Sequence, residues 1–295
     1  MTDESYGPMD HRTAHLDHTA STAGLLTMIS NQLGSQLGQR SLRGRRPDAA
    51  LVLVAHGSRD PRALATVTQL VDRIRQQRPG LTVRLGHIEL NEPLLDDTLA
   101  ALPDGGRAVL VPLLLSRGYH VKQDIPRAAE AASHLLTRVA APLGPHPLLV
   151  DVLHDRLREA GWPAHLSERA RRRSGVILAA AGSRDPESTA DTRATAALLA
   201  RRLGVPVVPA YASAAAPDVA TAVRALAARG RSRTALASYF TAPGRFATET
   251  AAALPHGIVA APLGAHPDLA RLVLHRYDTA LATPAGATAV HLASA

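Results

Sequence analysis

Apolar residues along the chain alternate between a strand pattern and a helix pattern from about residue 48 onwards. The run ALVLVA at 50–55 is continuous and rich in valine and leucine, which is typical of a parallel strand buried on both faces. In the next segment, 60–80, apolar residues recur at helical spacing until Pro-Gly ends the run. The same alternation predicts further strands and helices, in chain order, in LTVRLGHIEL, EPLLDDTLAALPDGG, RAVLVPLLLS and DIPRAAEAASHLLTRVA. Strands and helices that alternate at this spacing predict an α/β fold with a doubly wound parallel sheet.

The same series of segments returns in the second half of the chain. LVLVAHGSRDPRA at 51–63 reappears as VILAAAGSRDPES at 176–188, and RAVLVPLLLSRGYH at 107–120 reappears as RTALASYFTAPGRF at 233–246. Four such blocks recur in the same order, at spacings of 120 to 126 residues. The chain is therefore interpreted as a tandem duplication of one α/β domain.

The repeats divide the chain into two lobes and two terminal segments. We assign residues 48–166 to a first lobe and residues 175–283 to a second, degenerate lobe, with the basic stretch SERARRRSG near the junction. Residues 1–47 are polar and low in pattern, so we expect a mobile N-terminal extension, and residues 284–295 are assigned to a C-terminal tail.

Composition restricts the classes of protein that fit this pattern. Hydrophobic residues make up 46% of the chain, enough for a substantial core, and no apolar run approaches the ~18 residues of a membrane span. Cysteine is absent, which excludes disulfides, thiolate metal sites and thiol catalysis. The N-terminus lacks the basic-then-apolar order of a secretory signal, so we expect a soluble cytoplasmic protein that does not associate with membranes.

The net charge of +8 favours an anionic partner. Nucleic acid is the usual candidate for such a charge. However, the cationic residues are nearly all arginines scattered along helical stretches, and aromatic residues, 3% of the chain, offer few platforms for stacking bases. A polycarboxylate small molecule fits the charge as well, and we expect no nucleic-acid partner.

Three polar residues follow the predicted strands of the first lobe. His56 ends the first strand, Glu89 ends the second, and His120 follows the third in SRGYH. Because ligands of open parallel sheets bind beyond the carboxyl ends of the strands, all three side chains are expected at one crevice. Two imidazoles and a carboxylate suit a borderline divalent ion such as Fe²⁺, Co²⁺ or Ni²⁺, and they leave coordination positions open for chemistry.

The second copy lacks all three of these residues. Their counterparts, in the same order, are Ala181, Ser213 or a neighbour, and Phe246. Each residue alone has a structural explanation, as a turn histidine, a carboxylate near a helix N-terminus or a loop residue, but their joint loss favours a site in the first lobe with the second lobe as a wall. GSRDP, which both copies keep, is explained by a glycine turn and a helix cap at Ser58 or Asp60. We assign structural roles to His87, His146 and His266.

Three motifs of the first lobe, AHGSRDPRA, IELNEP and VPLLLSRGYHVKQDIP, resemble the sirohydrochlorin chelatase family, the class II chelatases related to ferrochelatase. The resemblance covers roughly residues 50–280, both halves included, and corresponds to the double-length form of the family. It implies two similar α/β lobes that face a central cleft holding a tetrapyrrole, with the metal site in one half only. The N-terminal extension and the Ala-rich second half depart from the family pattern, and neither touches the presumed site.

The resemblance implies a metal chelatase, a lyase that inserts a divalent metal into sirohydrochlorin, where Fe²⁺ gives sirohaem and Co²⁺ gives a cobalamin precursor. His56, Glu89 and His120 match the metal-site residues of the family, and we expect them to be the catalytic residues as well. The imidazoles are expected to ligate the metal and to accept pyrrole protons, while Glu89 is either the third ligand or a base. The metal is a substrate, with Fe²⁺ the first choice, and no organic cofactor is expected.

The carboxylates of a tetrapyrrole call for a cationic rim around the cleft. The residues assigned to substrate binding flank the histidine motifs or repeat them in the second lobe: Ser58, Arg59, Arg117, Gly118, Tyr119, Lys122 and Arg184. A solvated surface charge is the alternative for each cation. Since the duplication supplies a pseudo-twofold pair within one chain, we expect a monomer.

Three other functions remain compatible with the sequence. The metal could be cobalt or nickel rather than iron, because first-row divalent ions bind the same nitrogen and oxygen ligands. The chain could be a non-catalytic carrier of a tetrapyrrole or a metal, although a carrier has no need of a proton acceptor. A basic nucleic-acid-binding module would bind DNA in a salt-dependent manner and would have no use for Glu89.

Overall fold

The computed structural model describes residues 49–283, which form two parallel four-stranded sheets, one in each half of the chain. The predicted mobile extension at 1–47 and the predicted tail at 284–295 lie outside the described residues.

The first sheet has the strand order β2-β1-β3-β4. Its central strand pairs in parallel on both sides, so that Leu51 lies beside Val83 and beside Val109. The elements of this half, in chain order, are β1 (Ala50–Ala55), α1 (Pro61–Gln77), β2 (Val83–His87), α2 (Leu95–Ala100), β3 (Arg107–Pro112), a π-helical turn (His120–Asp124), α3 (Ile125–Ala131), β4 (Leu136–Val139) and α4 (Pro147–Glu159).

The second half repeats this arrangement with the strand order β6-β5-β7-β8. Val176 in its central strand lies beside Val207 and Ala235, as Leu51 does beside its own partners. The elements of this half, after the short connecting helix α5 (Glu168–Arg173), are β5 (Ser174–Ala180), α6 (Pro186–Leu203), β6 (Val207–Tyr211), α7 (Val219–Ala227), β7 (Arg233–Ser238), α8 (Arg245–Ala252), β8 (Ile258–Val259) and α9 (Pro267–Ala282).

The segment 124–140, predicted as one helix, contains a helix and a fourth strand. The helix ends at Ala131, and Leu136–Val139 pairs in parallel with β3. The prediction was wrong here because the apolar residues around the turn continue the helical spacing, so the sequence pattern alone does not show where the helix ends.

Side chains of each central strand alternate between two cores, as the pleat of a strand requires. In β1, Leu51 packs into a core shared by both halves, whereas its neighbour Val52 packs into a core made by the first half alone. In β5, Leu178 lies in the shared core and Ile177 in the core of the second half. All four are fully buried, so the shared core joins the two halves into one body.

The last helix of each half packs against the other half. Helix α4 contacts β7 and α6, and helix α9 contacts β3 and α1. The contacts are reciprocal in atomic detail, because Arg156 of α4 donates to the carbonyl oxygen of Leu263, and Arg276 of α9 donates to that of Leu143. The halves are thus interlocked about a pseudo-twofold axis, and the predicted α/β class with a duplicated architecture is confirmed.

Among the helices of residues 49–283, none combines the length and the apolar character that crossing a lipid bilayer would require.

Candidate functional site

A glycine turn brings the ends of β1 and β2 together. Gly57 has φ +101°, and a Cβ atom at this position would lie 1.8 Å from the carbonyl oxygen of Glu89, so only glycine fits. This close approach lets the Glu89 amide donate to the carbonyl oxygen of His56 at 3.0 Å. The two side chains follow the backbone, with His56 Nδ1 lying 3.4 Å from Glu89 Oε1.

His120 enters the same site from the third strand end. It begins the π-helical turn His120–Asp124, and its ring meets the ring of His56 edge-on, with centroids 4.7 Å apart. The three residues that sequence analysis placed at one crevice therefore lie together. Their side chains are 44%, 53% and 34% exposed for His56, Glu89 and His120, so a metal ion and a substrate can reach them.

Asp124 is a site residue that sequence analysis missed. Its Oδ2 atom lies 2.5 Å from Nδ1 of His120, four residues earlier in the helical turn. A carboxylate accepts from an N–H, so this contact places the proton of the neutral imidazole on Nδ1 and the lone pair on Nε2. The spacing of His120 and Asp124 in HVKQD was the available signal, because residues four apart face each other on a helix.

The three side chains form an open donor set. Within residues 49–283, no three His, Asp or Glu side chains converge closely enough to hold a metal ion in the present arrangement. Assignment of the three as metal ligands stays a prediction. An open set of this kind differs from a closed structural metal site, in which four ligands surround the ion.

These residues line a cleft of about 990 Å³ between the two halves. The first half contributes His56, Glu89 and His120 together with apolar residues such as Leu113 and Leu115. The second half contributes polar residues such as Ser183 and Arg245 and a set of apolar residues: Ala181, Phe240, Ala242, Pro243, Phe246 and Ala247. The cleft thus combines donor atoms from the first half with apolar surface suited to a ring system.

The backbone of the first-half site is copied in the second half without its chemistry. The Ser213 amide donates to the carbonyl oxygen of Ala181 at 3.0 Å, as Glu89 does to His56. A Cβ on Gly182 would lie 1.9 Å from the carbonyl oxygen of Ser213, so this glycine is required for the same reason as Gly57. The loops that follow β3 and β7 are also alike, because the amide of Lys122 donates to the carbonyl oxygen of Gly118 and the amide of Thr248 donates to that of Gly244. This equivalence makes Phe246 the counterpart of His120 in the second half.

The GSRDP turns cap helices in both halves. Asp60 accepts from the Arg62 amide at 2.9 Å at the start of α1, and Asp185 accepts from the Glu187 amide at 2.9 Å at the start of α6. In the first half, the amide of Ser58 also donates to Asn91 Oδ1 at 2.7 Å, which ties the turn to the loop that carries Glu89.

The residues predicted to bind substrate fall into two groups. Ser58, Arg59, Gly118 and Tyr119 line the cleft. Arg117, Lys122 and Arg184 do not lie among its lining residues. Sequence analysis also missed Arg245, a cationic lining residue from the second half.

Arg117 and Lys122 instead join the two halves through an ion-pair cluster with Asp185, Glu187 and Asp191. Arg117 Nη2 lies 2.6 Å from Asp191 Oδ1, and the Arg117 amide donates to Asp191 Oδ2 at 2.8 Å. Lys122 Nζ lies 2.6 Å from Asp185 Oδ2 and 2.5 Å from Glu187 Oε2. Hydrogen bonds from Lys122 lower the pKa of the Asp185 and Glu187 carboxyls, and the bond to Asp191 raises the pKa of Arg117.

Two of the histidines assigned to structure cap helices, and the third, His87, also lies among the residues that line the cleft. Nδ1 of His146 accepts from the Leu148 amide at 3.1 Å, and Nδ1 of His266 accepts from the Asp268 amide at 3.2 Å, so both cap the last helix of their half. Burial, with the charges of Arg276 and His275, lowers the pKa of His146 to about 4. His87 is buried beside the carbonyl oxygen of Pro93, at 3.2 Å from Nδ1.

Comparison with known proteins gives one family match for each half of the chain. The CbiX family model matches residues 50–160 and residues 175–280. The sirohydrochlorin cobaltochelatase of Sulfolobus acidocaldarius is 33% identical over 113 residues, which cover 37% of this chain and 90% of that protein. The chloroplastic sirohydrochlorin ferrochelatase of Arabidopsis thaliana is 33% identical over 114 residues, covering 37% of this chain and 51% of that protein, so the match spans about half the length of the plant relative.

The fold is also similar to that of solved structures. SirB from Bacillus subtilis, solved with Fe³⁺, superposes with a TM-score of 0.64 over 79% of this chain and 96% of that one. The sequence identity is 23%, so the likeness is one of fold.

Proposed function

Because the chain belongs to the CbiX family of sirohydrochlorin chelatases, we propose that it is a chelatase that inserts a divalent metal ion into sirohydrochlorin. The single observation that carries the proposal is the convergence of His56, Glu89 and His120 at one cleft, which is also lined by apolar residues of both halves. The apolar residues suit the face of a macrocycle, and the donor atoms suit the metal.

The chemistry of insertion matches these side chains. Two pyrrole N–H bonds break and two protons leave, the four ring nitrogens come to bind the metal ion, and no oxidation state changes. Neutral imidazoles can hold a divalent ion and can accept protons near neutral pH. His120 suits this role because its contact with Asp124 holds the proton on Nδ1, which leaves the Nε2 lone pair for a metal ion or a pyrrole proton.

Glu89 is placed to receive protons from His56. Its Oε1 atom lies 3.4 Å from His56 Nδ1, so a proton taken up by the imidazole has a carboxylate beside it. With a side-chain exposure of 53%, Glu89 can pass the proton to solvent. The alternative role of Glu89 as third metal ligand uses the same position, and both roles require its negative charge.

We propose Fe²⁺ as the physiological metal substrate, with Co²⁺ as the next candidate. A set of two imidazoles and a carboxylate binds either ion, and selectivity among first-row metals commonly follows availability rather than ligand type. Related proteins include a ferrochelatase and a cobaltochelatase. The donor set therefore supports a first-row divalent ion, and an assay has to separate the metals.

We also propose that the protein acts as a cytoplasmic monomer. Each half packs its last helix on the other, which provides within one chain the pairing that a symmetric dimer would provide between two. A single species at the monomer mass of 31.0 kDa in light scattering is the expected result.

The test is an anaerobic absorbance assay of the purified protein with sirohydrochlorin and Fe²⁺, Co²⁺ or Ni²⁺ supplied separately. The expected result is conversion above the non-enzymatic rate, fastest with Fe²⁺. Conversion fastest with Ni²⁺ or Co²⁺ would overturn the choice of metal only. Tight binding of the tetrapyrrole without acceleration by any metal would overturn the chelatase and favour a carrier.

A further inference from the structure

The pseudo-twofold axis creates two edges at which a loop of one half meets a turn of the other. At the first, Ser58 Oγ lies 3.8 Å from the position of a Cβ on Gly244. At the second, Ser183 Oγ lies 3.8 Å from the position of a Cβ on Gly118. We call the first the Arg245 edge, defined by Ser58, Arg59, Gly244 and Arg245, and the second the Lys122 edge, defined by Arg117, Gly118, Lys122 and Ser183.

The backbone of the two edges is alike, but their charges are not. At the Lys122 edge both cations are paired with carboxylates of α6, including the buried Asp191. These ion pairs join the halves directly and give Arg117 and Lys122 their counter-charges. Arg184, the counterpart of Arg59, is exposed beside Ser183 but does not line the cleft.

The Arg245 edge cannot form such a bridge. The residues that correspond to Arg117 and Lys122 are Pro243 and Thr248, and those that correspond to Glu187 and Asp191 are Arg62 and Thr66. Arg62 is paired with Asp60 within its own turn, at 2.7 Å. No carboxylate of α1 therefore meets a cation from the facing loop among the described residues.

Instead of ion pairs between the halves, the Arg245 edge has two arginines that line the cleft. Among the described residues, Arg59 and Arg245 are the only Lys or Arg side chains that line the cleft. The guanidinium of Arg245 lies 4.7 Å from the ring centre of Phe246, and its Nε atom is 3.8 Å from Glu249 Oε1, a distance longer than a hydrogen bond. With 76% of its side chain exposed, it can turn its donors to an incoming anion.

We propose that the Arg245 edge is a subsite that binds carboxylates of the tetrapyrrole. The proposal rests on the proposed chelatase function and assigns the orientation of the substrate in the same cleft. Arg245 supplies a guanidinium whose planar fork pairs with carboxylates, from the half that lacks the metal donors. Arg59 supplies the second cation, from the half that has them.

This subsite explains why Arg245–Phe246 in the second half stands at the positions that Tyr119–His120 occupy in the first half. The second half loses a donor at the position of His120, and it gains an apolar ring for the macrocycle with a cation beside it for the periphery. The degenerate half thus contributes substrate binding, while the first half contributes the metal donors.

The test is a titration of sirohydrochlorin into metal-free protein, followed by absorbance, for the wild type, Arg245→Ala and Arg245→Glu. Arg245→Ala should raise the dissociation constant about fivefold, as expected for loss of one exposed ion pair, and charge reversal should raise it further. Added salt should weaken binding to the wild type more than to Arg245→Ala. Arg201→Glu, on the exposed face of α6 outside the cleft lining, changes the net charge equally and should have little effect.

Metal insertion is measured in parallel over a range of sirohydrochlorin and metal concentrations. The expected result for Arg245→Ala is an almost unchanged kcat with a raised KM for the tetrapyrrole and an unchanged KM for the metal. Equal dissociation constants for the wild type and Arg245→Glu would overturn the proposed subsite. If the wild type still inserted metal in that case, the proposed chelatase function would be unaffected. A wild type that neither binds nor converts sirohydrochlorin would overturn both.

Discussion

His56 and Ala181 occupy the same position in the two halves, at the end of the central strand, and their carbonyl oxygens accept equivalent hydrogen bonds of 3.0 Å from Glu89 and Ser213. The backbone that presents the imidazole is therefore maintained where the imidazole is absent. The comparison of the two halves therefore distinguishes what the fold requires at this position from what the chemistry requires. The glycine turn and the strand-end contact are requirements of the fold, and the side chain of His56 is not.

Replacement of both site histidines should abolish metal insertion without harming the fold. In the His56→Ala/His120→Ala variant the rate should fall at least about 100-fold, because positioned acid–base groups commonly contribute this much and the metal donors are lost as well. Since both side chains are partly exposed, the free energy of unfolding should change by no more than about 0.5 kcal/mol. Stopped-flow absorbance gives the rate, and urea denaturation gives the stability.

His165→Ala is the matched control, since His165 is exposed and does not line the cleft. It should retain wild-type activity. A double variant that still inserts metal at the wild-type rate would show that the donor set in the cleft is not the site of the chemistry.

Asp124 should act through His120 rather than on its own. Asp124→Ala should lower kcat by about tenfold, as is typical for the carboxylate partner of a metal-binding histidine. Asp124→Asn should retain more activity, because the amide oxygen still accepts the Nδ1–H. The KM for sirohydrochlorin should not change, and Gln123→Ala, an exposed neighbour, should behave as wild type.

A double-mutant cycle separates this positioning role from a structural one. If Asp124 works through the imidazole, Asp124→Ala adds no further loss of kcat to a protein that already carries His120→Ala. Fully additive losses would contradict the positioning role.

Much of this fold and of its candidate site follows from local sequence features. Continuous apolar runs mark the central strands. The repeat spacing pairs His120 with Phe246 and Glu89 with Ser213 or a neighbour, and the equivalent backbone hydrogen bonds agree with Phe246 and with Ser213. These inferences succeed because a strand end and its turn are encoded within a dozen residues. The prediction that the three donors share a crevice succeeds for the same reason, since parallel strands bring their carboxyl ends to one edge.

Features that depend on distant partners were not predictable in this way. Arg117 was assigned to a substrate carboxylate, whereas its charge pairs with Asp191, 74 residues further along the chain. The packing of α9 on the first half likewise depends on interlocked halves, which no local pattern encodes. The strand Leu136–Val139 was missed because it is short and lies at the edge of its sheet, where the burial pattern is weak.

The ion pair between Arg117 and Asp191 should be a main stabilising contact between the halves. Arg117→Met leaves the buried Asp191 carboxylate without its counter-charge, which should lower the free energy of unfolding by about 2 kcal/mol, less than for a fully buried pair because Arg117 is partly exposed. Urea denaturation measures this loss. Arg62→Met, which breaks an exposed ion pair within one turn of the first half, should cause no measurable change. Equal stability of Arg117→Met and wild type would contradict the assignment.

His146 should make the fold less stable in mild acid. The folded protein keeps this imidazole neutral down to about pH 4, because burial and the positive charge of Arg276 disfavour its protonation, whereas in the unfolded chain its pKa is near 6.5. Unfolding therefore takes up a proton between these values, and stability falls as the pH falls from about 6.5 towards 4. In His146→Asn the side-chain oxygen can still cap α4 but does not titrate. The urea midpoint of this variant should match wild type at pH 7 and exceed it at pH 5, and the same decrease in both proteins would show that His146 is not the group responsible.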